Sequence, residues 1–145
     1  MLNIRLETGM ALASLALHAM FVAYLVSFYY ALSRPVEPPK IILIPEQLLL
    51  VGIFLFALPG FGLAPIAYVL AKREAPRVAS MILIVQGILM PLGMLYASTL
   101  TNNIIEEYKS AQLLIVPQIF FVAGFAVIGL GVHLARFKPI KRRTI

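Results

Sequence analysis

The chain has 145 residues, of which 61% are hydrophobic and 12% charged; it carries a formal net charge of +6 and has no cysteine. That composition excludes a globule hydrated on every side, and the lack of thiols excludes disulfides, thiolate metal centres and thiol redox chemistry. The solvent that suits such a chain is lipid. The expected fold class is therefore all-α integral membrane, a four-transmembrane-helix bundle forming a single membrane domain over residues 1–145.

Four apolar stretches, residues 9–32, 48–71, 78–100 and 113–135, contain no Asp, Glu, Lys or Arg. About 20 helical residues cross a hydrocarbon core, so each is long enough to span it. A barrel would need alternating segments of about ten residues, whereas these runs are continuous. Arg5 ahead of the first stretch and Ala31 with Ser33 at its end make a faint signal-peptide pattern, but the stretch is longer than a signal core and is expected to span.

In the first span Ala19, Ala23, Ser27 and Ala31 recur every four residues, a helix-packing stripe that allows close approach of another backbone. Internal packing is its expected use. Arg34-Pro-Val-Glu-Pro-Pro-Lys then forms a stiff link, Ile41 to Ile44 is expected at the interface, and Pro45 with Glu46 opens the second helix. That helix contains Pro59 and Pro65, the third Pro91, and the fourth Pro117, all expected to shape packing rather than to gate. Lys72 to Arg77 makes a tight turn with Pro76 starting the third helix, Asn102 and Asn103 end that helix, and Ser110 caps the fourth. Gly124, Gly129 and Gly131 extend the packing stripe on the fourth helix, and Glu106 with Glu107 reads as a solvated turn.

Lysine and arginine are unevenly distributed between the ends of the spans. Arg5, Lys72, Arg73, Arg77, Arg136, Lys138, Lys141, Arg142 and Arg143 fall on one side, and only Arg34, Lys40 and Lys109 on the other. The positive-inside rule places both termini in the cytoplasm, with the cell membrane as the expected location. Tyr29, Tyr30 and Tyr96 then mark the outer interface and Tyr68 the inner one. The tail residues Arg136, Lys138, Lys141, Arg142 and Arg143 are expected to contact anionic lipids; no recognition module accompanies them, so nucleic acid is not an expected partner.

Function in a membrane usually needs a polar group where lipid should be. His18 and Gln86 are the strong candidates, each about 15 Å from the cytoplasmic end by helical rise and hence near mid-bilayer. As a pair they serve either as interhelical glue or as part of a solute or proton pathway, since imidazole exchanges a proton near neutral pH. His133, about 10 to 15 Å from that level, does not share a haem with His18. Met90 and Met94 have the spacing of a copper-transport pair but no methionine-rich segment accompanies them, so core packing is expected. No cofactor and no metal site is expected.

No span holds the carboxylate that small multidrug-type exporters use for coupling, and no nucleophile–base pair or phosphate loop is present; Gly60-Phe61-Gly62 lies between prolines in an apolar run. Internal offsets add one further feature. Gly60-Phe61 matches Gly124-Phe125 at 64 residues, Tyr30-Ala31 matches Tyr96-Ala97 at 66, and His18 matches Gln86 at 68, which suggests a duplicated two-helix hairpin. The reading that follows is a non-enzymatic accessory or scaffold subunit of a larger membrane complex, partnered by other membrane subunits or by its own copies. The alternative is a small transporter or channel for a neutral or weakly polar solute, and the basic rim is the sole hint of a lipid-binding role.

Overall fold

The computed structural model describes residues 5–34, 44–73 and 76–137. Among these the chain is all-helical, with four helices long and apolar enough to cross a membrane: Leu6–Ser33, Pro45–Arg73, Arg77–Thr101 and Ala111–Arg136. Each extends a few residues beyond its apolar run, because polar and charged end residues continue the backbone hydrogen bonding into the first and last turns. Pro45 starts the second helix and Pro76 the third, and Ser110 caps the fourth by accepting from the Leu113 N–H. Lys138, Lys141, Arg142 and Arg143, the link around Lys40 and the apolar run at 41–43 lie outside the described residues.

The prolines within the helices do not end them, and local features accommodate Pro59, Pro91 and Pro117. Ahead of Pro59 the second helix widens into a π-helical segment, Ile53–Ala57, in which the Leu58 N–H bonds to Ile53 O. A wider turn accommodates a ring that would clash with the carbonyl four residues back. Pro91 is buried against Gly124, where an added Cβ would lie 2.5 Å from the proline Cδ. Pro117 cannot donate to Leu113 O, and the Tyr29 hydroxyl donates to that carbonyl instead, at 2.5 Å.

The first helix packs on the second and third, and the third and fourth form the tightest pair. Two apolar clusters fill the interior. One is rich in large side chains, among them Phe21, Leu25, Tyr29, Leu49, Met90 and Met94; the other is built on Ala11, Ala64, Ala67, Ala71, Ala79 and Leu83. Small side chains draw the helices together at the end that carries Arg5, Lys72, Arg73, Arg77 and Arg136.

Three sequence expectations change here. Ala19, Ala23, Ser27 and Ala31 are all exposed, so the stripe does not pack inside the chain; the buried face of the first helix runs through Ala11, Ser14, His18, Leu25, Tyr29 and Leu32. The larger residues of that face can fill the core, whereas a line of alanines would leave it underpacked. Tyr29 is wholly buried rather than interfacial, held by its bond to Leu113 O, while Tyr30 and Tyr96 stay exposed and the Arg34 guanidinium stands 4.6 Å over the Tyr30 ring. On the fourth helix Gly124 and Gly131 are contact points, but Gly129 meets nothing within 4 Å.

Candidate functional site

Between the two apolar clusters lies the one buried polar group of side chains that joins three helices among the described residues. Ser14 and His18 are one turn apart on the first helix, Gln86 faces them from the third, and Gly60 closes the site from the second. Ser14, His18 and Gln86 are sealed from the exterior, each with no exposed surface. The structure thus brings the sequence-identified pair together and adds two members to it.

Two of the hydrogen bonds have a defined direction. The Ser14 hydroxyl donates to Gly60 O at 2.7 Å, and the Gln86 amide Nε2 donates to Ser14 Oγ at 2.9 Å. His18 Nδ1 lies 2.8 Å from Ser14 O, the geometry of an imidazole N–H returning to the carbonyl four residues earlier. Gln86 Nε2 is 3.0 Å from His18 Nδ1 and 3.4 Å from Nε2; with Nδ1 donating to Ser14 O, the nearer approach sets two donors side by side, and Nε2 is the ring nitrogen able to accept. Gln86 Oε1 is buried with no partner in the structure. The Phe61 ring meets the imidazole edge-on at 4.4 Å between centroids.

Gly60 belongs to the site because of what it lacks. A Cβ there would lie 2.8 Å from His18 Nδ1 and 2.9 Å from Cε1, so only glycine lets the ring sit against the second helix while its carbonyl receives Ser14. The second pair of helices repeats this clasp. Ser80 donates to Gly131 O at 2.8 Å, and Ile84, one turn after Ser80, covers Gly131 as His18 covers Gly60. Ser14 and Ser80 are 66 residues apart, the same offset that relates Tyr30 to Tyr96. On the glycine side the counterpart of Gly60 is Gly131, seven residues beyond the Gly124 that sequence alignment selects. Seven residues are about two helical turns, which keeps the same face.

The remaining candidates separate cleanly. Met90 and Met94 are fully buried in the large-residue cluster. Among the described residues no three His, Cys, Asp or Glu side chains come together as a metal site would require. His133 lies at the basic end, where Tyr68 OH and His133 Nδ1 are 2.6 Å apart. Glu106 forms an exposed ion pair with Lys109. Sequence reasoning passed over Ser14 and noted Gly60 only for its internal match; the signal available was a serine one turn before His18 and a glycine in the neighbouring apolar run.

No family model, no curated protein and no solved structure matches the chain.

Proposed function

We propose that this chain is a non-enzymatic four-pass protein of the cell membrane, with both termini cytoplasmic, that serves as an accessory or scaffold subunit by docking a helix of another membrane protein. The outward stripe Ala19, Ala23, Ser27 and Ala31 carries this reading. Small side chains on a lipid-facing surface offer little contact to acyl chains but permit close backbone approach by another helix, the main source of association where no hydrophobic drive exists. Beside the stripe, Ala23, Tyr24, Ser27, Phe28 and Leu48 line an open groove of about 550 Å³, wide enough for side chains of an incoming helix. The concentration of basic residues at one end supports the orientation.

The polar site supports the same reading as an internal clasp. Its groups are sealed and bonded chiefly to one another, which holds three helices in register and leaves the outer faces for association. Affinity extraction in mild detergent tests the proposal. Wild type is expected to retain a defined membrane subunit, and Ala23→Leu with Ser27→Leu to lose it, while Val122→Leu on the exposed fourth-helix face keeps it. Recovery of a lone monomer from gentle extraction contradicts it.

A second reading, a small transporter for a neutral or weakly polar solute, draws on the two matched clasps, which suit a duplicated hairpin with a pseudo-twofold axis along the membrane normal. Solute flux lost in His18→Leu but kept in Ala23→Leu would favour it over the accessory role.

A further inference from the structure

At the basic end the second and fourth long helices run side by side. Tyr68 meets His133, and one turn further on the Lys72 ammonium stands 4.7 Å above the centre of the Phe137 ring. Both layers join residues 65 positions apart, so the helix ends stay in register through them. Tyr68 is half-buried, whereas Lys72, Arg73, His133 and Arg136 are exposed.

The two layers are built from hydrogen-bond donors. With the Tyr68 hydroxyl donating to Nδ1 at 2.6 Å, the proton of a neutral His133 ring sits on Nε2, free to donate to a ligand. Lys72 adds an ammonium about 5 Å further along, and the Phe137 ring restrains it by cation–π attraction. No carboxylate pairs with Lys72, Arg73 or Arg136 among the described residues. On the adjoining face of the second helix Pro65, Ile66, Val69 and Leu70 line an open apolar depression of about 310 Å³, and Arg73 follows Val69 by one turn on the same side.

We propose that this end is a binding site for an anionic phospholipid, with Lys72, Arg73 and His133 on the phosphate-bearing head group and an acyl chain along Pro65, Ile66, Val69 and Leu70. Donors at the helix ends, with an apolar trough that runs along the second helix from the Arg73 side, match an amphiphile, not a free anion, which would have no use for the trough. The site uses side chains distinct from the outward stripe of the first helix, so it stands or falls independently of the accessory role.

Native mass spectrometry of the full chain tests it, with phosphatidylglycerol and phosphatidylcholine of identical chains offered in equal amounts. Wild type is expected to retain phosphatidylglycerol preferentially. Lys72→Gln lowers that preference about fivefold, the effect of one cation at a head-group site, and His133→Ala acts in the same direction. Ile66→Trp fills the trough and reduces phosphatidylglycerol retention without a change of charge. Arg77→Gln removes a cation from the third helix at the same end and leaves the preference intact. Equal losses from Lys72→Gln and Arg77→Gln would overturn the site in favour of diffuse attraction, and displacement of the lipid by inorganic phosphate would overturn the lipid in favour of a free anion.

Discussion

Tyr29 and Leu113 are joined by a hydrogen bond that Pro117 makes available: the hydroxyl donates at 2.5 Å to a carbonyl whose usual helical donor, four residues on, is an imino acid. A free carbonyl in an apolar core is costly, and Tyr29, itself without exposed surface, satisfies it while tying the first helix to the fourth. Tyr29→Phe is expected to destabilise the bundle by about 1 kcal/mol. In a Pro117→Ala background residue 117 can donate to Leu113 O, so the same substitution costs less; reversible unfolding in mixed detergent, run as a double-mutant cycle, measures the difference.

The two serine–glycine clasps predict a contrast between glycines that composition treats alike. A Cβ at Gly60 would press on the His18 ring, and one at Gly131 would lie 2.9 Å from the backbone nitrogen of Ile84. Gly60→Ala and Gly131→Ala are expected to lower the unfolding midpoint. Gly62→Ala and Gly129→Ala, at positions with nothing within 4 Å, leave it unchanged or raise it slightly.

Within the polar site the members depend on one another. Ser14→Ala removes a donor to Gly60 O and an acceptor for Gln86, and is expected to cost about 0.6 to 2 kcal/mol, against no measurable loss for exposed Ala16→Ser on the same helix. His18→Leu and Gln86→Leu each strand a buried partner. The double variant, which removes both polar groups, is therefore expected to lose less stability than the two single losses combined.

The architecture was legible in the sequence because apolar run length alone signals a span, and the level of His18 and Gln86 followed from helical rise. Their actual contact, and the places of Ser14 and Gly60, were not. A helix apolar enough to cross a membrane needs no polar outer face, so the run from Gly9 to Leu32 is hydrophobic on all sides and does not reveal which face turns inward. The alanine stripe has the spacing of a packing face, but Ala11, Ser14, His18 and Leu25 occupy the interior. Tyr29 deceived for a related reason: its place beside Tyr30 suggested an interfacial belt, and only the pairing with Leu113 across the bundle explains why it is inside. The offset of Gly60 and Gly131 was hidden by the nearer match at Gly124, two turns away on the same face.

The most direct test of the accessory role is site-specific photocrosslinking from Ala23 in intact membranes, with Val122, exposed on the fourth helix, as the reference position. The account predicts one discrete protein adduct from Ala23, lost when Ser27 is replaced by Leu, and only lipid adducts from Val122. Lipid adducts alone at both positions, in membranes where the protein is present at its native level, would contradict it.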